Sequence, residues 1–338
     1  MKDTSVFERV YWPVQPGGNG NTRPAKLLRS LADHLEVEPA RRFIYHGASE
    51  EQPGHVRANR LRPGQGEQTN DHKYAVLSPA FVSLLASASW TDFYDDWSKA
   101  PDINPVYRAY AMAGYRRVAA GKTSGLVTCN SPYMAAKLRL GQEAIVPNGF
   151  DGKLSDVELS GDNRRRLIVQ GHFFRGRTDY ELLERFATSG GFDEIVIGAP
   201  GRSREMGRAL SALADHSGAA LEVRKWIADE ELARMVGSRT VALVPHIVSD
   251  YTLSQDLMKV YKYLALGAKV ACPRLLWPAA LPITHAYLID FGNSADSIRE
   301  WVDHPRPTAS ERSDLADSHS WEARGAALAR LLEKSYEA

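Results

Sequence analysis

From Arg165 onward the chain alternates short apolar runs with longer amphipathic stretches. In order these are RRLIVQG, TDYELLERFA, EIVIGAP, REMGRALSALADH, LEVRKW, DEELARMVG, VALVPH, DLMKVYKYLALG, KVACP and AYLID. Short runs of Val, Ile and Leu without polar alternation suit strands buried on both faces, as in parallel sheets. Parallel neighbours need a crossover connection, and the intervening helical patterns supply it. This alternation restricts the second half to a parallel α/β sheet. The first half shows a looser version. Val6 to Val14 is strand-like and ends at Gly17, Gly18, Asn19 and Gly20. TRPAKLLRSLADHL then places Leu27, Leu28, Leu31 and Leu35 on one helical face, with Thr22 as a cap and Pro24 in the first turn. FIYH at 43–46 and YAVL at 74–77 are short apolar runs, and 80–88 is small and apolar. VYRAYAMAGYRRVAAG reads as a helix, GLVTCN as a strand and SPYMAAKL as another helix.

A chain of 338 residues is long enough for two domains. The polar, turn-rich stretch NGFDGKLSDVELSGDNRRR lies between two strand patterns and marks a boundary. The expectation is an α/β protein of two Rossmann-like, doubly wound domains facing each other across a cleft. One spans 1–150, joined by a C-terminal helix at 320–338, and the other spans 151–319. Ligands of such sheets sit beyond the carboxyl ends of the strands, so functional residues should follow each strand.

Composition narrows the function. Forty-two Lys and Arg against 41 Asp and Glu leave no basic footprint for nucleic acid and no acidic tail. Two cysteines, Cys129 and Cys272, allow neither a disulfide framework nor a four-cysteine metal cluster. No segment approaches a membrane span, and MKDTSVFERVYWPV lacks the apolar core of a secretion signal. A cytoplasmic protein is expected.

Several post-strand segments carry a resemblance. YDDWS at 94–98, VTCNSPYMAAKL at 127–138, VPNGFD at 146–151, GHFFRGRTDYELL at 171–183, WIADEELARMVGSRTVALVPH at 226–246, DLMKVYKYLALGAKVACP at 256–273 and the closing SWEARGAALARLLE resemble nucleotide-sugar glycosyltransferases of the GT-B fold. The likeness is to family 4 and to the teichuronic-acid-type bacterial members. Order and spacing carry it from about residue 90 onward; before that, only the strand, glycine loop and helix match. The resemblance implies a metal-independent hexosyltransferase whose second domain holds a nucleotide-sugar donor and whose first holds the acceptor. The final helix would cross back to the first domain. No bound cofactor is implied, since the nucleotide sugar is a co-substrate. The acceptor hydroxyl is left open among a polysaccharide intermediate, a small natural product and a modified nucleic-acid base. A nucleotide-sugar epimerase of the same fold and a non-catalytic nucleotide- or glycan-binding protein are the alternatives.

For the donor, Lys259 and Lys262 lie in the helix starting near Asp256, at the positive end of its dipole, where an anion would relieve the conflict. The plain alternative is that Asp256 caps the helix and pairs with Lys259. Relatives commonly have YEYLA at 261–265, the glutamate gripping the donor ribose; here Lys262 stands in that place, and Ser254 stands where many have a second glutamate. A lysine donates hydrogen bonds and cannot accept them. Arg175 and Arg177, in the loop with His172, suit a diphosphate because a guanidinium forks onto two oxygens; a solvated surface pair is the alternative. Trp226 and Ile227 stand where relatives hold the base, although a tryptophan here is as readily core. Asp250 and Tyr251 lie in the expected sugar-facing loop. In the first domain, Gly18 belongs to a glycine loop that lets backbone amides approach a ligand, or to a simple turn. The acceptor's base would come from the acidic cluster Asp92, Asp95 and Asp96, with Asp95 and Asp96 foremost, or from His72 or His46. A solvent-facing acidic turn is the alternative for the cluster.

Overall fold

The computed structural model describes residues 5–7, 9–11, 23–32, 36–37, 74–101, 103–171, 173, 176–199, 201–290 and 294–337. The chain divides into two compact units, Met1–Pro147 with Trp321–Ala338, and Asn148–Ser320. The apolar run at 43–46 lies outside the described residues.

The first unit begins with β1 (Ser5–Phe7) and β2 (Arg9–Tyr11), followed by α1 (Arg23–Ala32) and β3 (Glu36–Val37). The strand-like run from Val6 is therefore split in two. β1 pairs with β3, whereas β2 joins β4 (Tyr74–Val76), β5 (Trp90–Phe93) and β6 (Leu126–Cys129) in a parallel sheet of order β2-β4-β5-β6. The small apolar stretch at 80–88 is a series of turns rather than a regular element. α2 (Pro105–Ala119) starts where the Asn104 side chain accepts from Val106 N–H, with proline at the first helical position, where its missing N–H costs nothing. α3 (Pro132–Leu138) repeats the device, with Ser131 as its cap. Phe93, Tyr115, Val118, Cys129, Met134 and Leu138 are buried together, joining sheet and helices in one core.

The second unit holds a six-stranded parallel sheet. In chain order its strands are β7 (Arg166–Gln170), β8 (Glu194–Gly198), β9 (Ala220–Arg224), β10 (Thr240–Leu243), β11 (Lys269–Pro273) and β12 (Ala286–Ile289). The helices between and after them are α4 (Tyr180–Ser189), α5 (Arg204–His216), α6 (Asp229–Met235), the short α7 (Asp250–Leu253), α8 (Met258–Ala265), α9 (Ala295–Val302) and α10 (Ala309–His319). The spatial order is β12-β11-β10-β7-β8-β9. The chain builds outward from β7 through β8 to β9, then returns to the other side of β7 and builds outward again. That is the doubly wound order, with its switch point between β7 and β10. The strands β7, β10 and β11 are buried along their whole length, which is why their sequences lack polar alternation.

α11 (Trp321–Glu337) leaves the second unit and packs on α1 in the first. Leu27 and Leu31 of α1 and Leu328 and Leu332 of α11 are fully buried. Gly325 permits the close approach: a Cβ there would lie 2.5 Å from the Ser30 carbonyl oxygen. Because that obstacle is backbone, Gly325→Val should push the two helices apart and cost about 1–3 kcal/mol of overpacking strain. A shift of the urea midpoint checks it.

Candidate functional site

At the switch point of the second unit, β7 ends at Gln170 and the chain turns at Gly171, whose φ is +153°. A Cβ on Gly171 would lie 2.5 Å from the Lys259 ammonium, the movable end of a flexible side chain, so it is the backbone conformation that calls for glycine here. Lys259 Nζ donates to the Gln170 carbonyl at 3.3 Å. The chain after the loop runs antiparallel to the segment after β10: Thr178 bridges His246, Ile247 N–H donates to the Arg177 carbonyl at 2.9 Å, and Asp179 N–H donates to the Pro245 carbonyl at 2.9 Å. Asp179 then caps α4 by accepting from Leu182 N–H. These contacts bring Arg177, Thr178, His246 and Lys259 together at the carboxyl ends of β7 and β10.

The electrostatics of this cluster are one-sided. Burial, and then the neighbouring Arg177 and Lys262, push the Lys259 ammonium down to about 7. Burial, Lys259 and Arg177 hold His246 well below its ordinary value, so its imidazole is neutral. His246 is 3% exposed, and its imidazole has no side-chain hydrogen-bond partner among the described residues, with the Pro245 backbone beside it. The buried Thr178 hydroxyl also lacks one. Buried polar groups are normally satisfied, so these side chains beside two cations form a cluster whose chemistry suits a polar, anionic ligand.

The other residues expected on the donor side are placed individually. The Gln170 amide donates to the Ile227 carbonyl at 3.1 Å and accepts from Ile227 N–H at 3.1 Å, so both backbone groups of Ile227 already have partners. Ile227 itself is fully buried, whereas Trp226 is 53% exposed rather than core. Lys262 Nζ pairs with Asp229 at 2.7 Å. Asp250 is exposed at the start of α7, while Tyr251 is buried at 7% exposure. His172 and Arg175 lie outside the described residues.

One expectation about this helix is corrected. Asp256 does not cap it; α8 starts at Met258 with no side-chain cap, and the Asp256 carboxylate accepts from Asn148 N–H and from the Tyr261 hydroxyl. With α8 only two turns long, Lys262 falls in its last turn, where a cation is favoured. The conflict with the helix dipole therefore belongs to Lys259 alone. Buried Ser254 donates to the Tyr251 carbonyl at 2.6 Å.

In the first unit the acidic cluster sits at the end of β5, and two of its three carboxylates are held in buried ion pairs. Asp92, fully buried, receives Arg23 Nε at 2.9 Å, Arg23 Nη2 at 2.8 Å and the Thr128 hydroxyl at 2.8 Å. Asp96, also fully buried, pairs with Lys137 and accepts from Ser98 N–H at 3.1 Å and Ser98 Oγ at 2.5 Å. Asp95 differs. It is half-buried, its φ of 58° lies in the left-handed region, and its carbonyl accepts from the Tyr115 hydroxyl at 2.9 Å. A non-glycine residue held there is strained, and such strain gathers at functional positions. Gly18, His46 and His72 lie outside the described residues.

Sequence reasoning did not single out His246 or Asp229. His246 follows the strand VALVP and so satisfies the rule that functional residues come just after strands. Asp229 carries no such signal, because only its partner Lys262 makes it notable.

No protein-family profile and no curated protein sequence matches the chain. Among solved structures it is similar to AviGT4, a glycosyltransferase involved in avilamycin A biosynthesis, with a TM-score of 0.55 and 13% identity over 97% of each chain. Two further likenesses are weaker. UGT89C1 of Arabidopsis thaliana, complexed with quercetin, has a TM-score of 0.39 and 13% identity over 98% of this chain and 94% of its own. Os79 of O. sativa, in complex with U2F and trichothecene, has a TM-score of 0.35 and 11% identity over 97% and 96%. Among the described residues no helix is long and apolar enough to cross a membrane, and no group of His, Cys, Asp and Glu could hold a metal ion. With its parallel sheets and its likeness to AviGT4, the chain has the α/β GT-B fold.

Proposed function

We propose that the protein transfers a hexosyl group from a nucleotide sugar to an acceptor hydroxyl, as a family 4-like glycosyltransferase. The observation that carries this reading is the switch-point cluster, where Arg177 and Lys259 stand beside the buried His246 and Thr178 side chains. Breaking the bond between the sugar's anomeric carbon and the diphosphate leaves negative charge on phosphate oxygens. Arg177 and Lys259 meet that charge, acting most strongly where it grows in the transition state. Neutral His246 donates one hydrogen bond and accepts another, which suits phosphate or sugar hydroxyl equally. Trp226 offers a face to the base, and Asp250 lies toward the sugar.

Asp95, half-buried at the end of β5 with the Asn130 amide donating to its carboxylate at 3.5 Å, is the base in this reading and takes the proton from the acceptor. The acceptor is a glycan, a small molecule or a nucleic-acid base. Leaving-group charge is met by side chains, so turnover should be unchanged in EDTA.

Thermal unfolding with UDP, GDP, dTDP and CMP tests the donor site. A ligand at about 100 times its Kd stabilises by about 2.7 kcal/mol, which reads as a clear rise in Tm. If no nucleotide raises Tm, the reading fails. If donor is consumed without an acceptor, the chemistry is epimerisation instead.

A further inference from the structure

We propose that the outer face of α2 docks the protein on an anionic lipid surface. The helix is apolar on both sides. Ala111, Gly114, Tyr115 and Val118 are buried, whereas Val106, Tyr110 and Met112 are 64%, 55% and 37% exposed. Ala109 and Ala113 are exposed too. Positions 106, 109, 110 and 113 follow the i, i+3, i+4, i+7 spacing of a single helix face, so these side chains form one stripe rather than scattered exceptions. A contiguous exposed apolar face, on a helix that already buries its other face in the core, marks an interaction surface.

Charge decides which partner fits. From Ile103 to Gln142 the sequence holds six Lys and Arg and no Asp or Glu, although the whole chain has a net charge of +1. Arg108 donates to the Ala100 carbonyl at 3.0 Å and Lys137 pairs with Asp96. Arg116, in the last turn of α2, and Lys122 just beyond it are exposed. Arg116 lies four residues from Met112 and three from Ala113, so it continues the stripe. The face is apolar over its first turns and cationic at its end. A nucleic acid would meet the cations and leave the apolar turns in water. A second copy docked symmetrically through the same face would bring cations together with no carboxylate on α2 to offset them. An anionic bilayer suits both parts: the acyl boundary takes Val106, Tyr110 and Met112, and lipid phosphates take Arg116 and Lys122. α2 belongs to the first unit and Lys259 to the second, so this inference stands independently of the donor reading.

The test is co-sedimentation of the full chain with vesicles of phosphatidylcholine alone and of phosphatidylcholine mixed with phosphatidylglycerol. The wild type should partition onto the anionic vesicles, leave the neutral ones and come off as salt rises. Each cation near such a surface is worth about fivefold in partition, so Arg116→Gln with Lys122→Gln should weaken binding about 25-fold. Val106→Ser with Tyr110→Ser should weaken it about tenfold. Leu275→Ser, at an exposed apolar position of the second unit, should change nothing. All five substituted positions are exposed, so the fold should survive each change. No binding to anionic vesicles, equal binding to neutral ones, or an equal loss in Leu275→Ser overturns the proposal. An unchanged partition in the Val106 and Tyr110 variant also overturns it, because the contact is then with charge alone. So does sedimentation velocity that finds the wild type dimeric and that variant monomeric, since a second copy then covers the face.

Discussion

Lys259→Ala is expected to lower kcat/KM for the nucleotide sugar by about 10²-fold, roughly 2–3 kcal/mol of lost transition-state stabilisation. The size follows from the setting. Lys259 stands at the switch point beside Arg177, and its ammonium keeps one hydrogen bond, to the Gln170 carbonyl, with no carboxylate partner among the described residues. It therefore has charge to give a ligand. Burial and the neighbouring cations push the group down to about 7, so the charged form binds an anion while the neutral form does not. kcat/KM reports the free enzyme and should fall as pH rises through about 7. His246 cannot produce that limb, because it is already neutral well below that range. In Lys259→Ala the limb should vanish along with most of the activity. Lys259→Arg should retain more activity and also lose the limb, since a guanidinium does not titrate there. A pH–rate profile that keeps its falling limb in the alanine variant would show that another group titrates.

Arg23→Ala should destabilise the first unit by about 3–5 kcal/mol, because it leaves the fully buried Asp92 carboxylate with the Thr128 hydroxyl as its partner among the described residues. The pair is bidentate, and its side chains are 2% and 0% exposed. It fastens α1 to the end of β5, and Trp90 extends the network by donating to Thr128 at 2.9 Å. Breaking the pair should thus loosen helix and sheet together. Removing both charges should cost far less: Arg23→Met with Asp92→Leu should recover most of the loss, since apolar pairs of similar size replace buried ion pairs with little penalty. Urea unfolding of the three proteins measures this. A single-variant loss under about 1 kcal/mol would place the pair among weak surface bridges and undo the argument.

The second unit was the more legible half. Its strands β7, β10 and β11 appear in the sequence as short apolar runs because strands covered on both faces tolerate few polar side chains, whereas the exposed β9 shows through the alternation of elements rather than through apolarity. The structure caps α4 with Asp179 and α3 with Ser131, short polar side chains that suit the start of a helix. Asp256 was misread for the same reason it looked plausible: an acidic residue before a helix resembles a cap, yet this one turns away to Asn148 and Tyr261. Lys259 and Arg177 stand out in the sequence because they open a helix or follow a strand, and the structure brings them close at the end of β7. The neutral member of that cluster, His246, was passed over because a histidine among loop residues has no pattern of its own.

Arg23 and Asp92 are 69 positions apart, Lys137 and Asp96 are 41 apart, and Lys262 and Asp229 are 33 apart. The sequence by itself determined the alternating elements, the parallel sheet of the second half and the residues beyond each strand's end. These depend on local periodicity, on capping and on the burial of both sheet faces, all encoded within a few residues. Only the tertiary structure decided which charges are spent on one another. A carboxylate in a post-strand acidic cluster reads the same whether it ends in a buried ion pair, as Asp92 and Asp96 do, or stays half-exposed, as Asp95 does. Ion pairing depends on distances of a few ångströms between side chains from separate elements, and those distances exist only after the sheets and helices have packed.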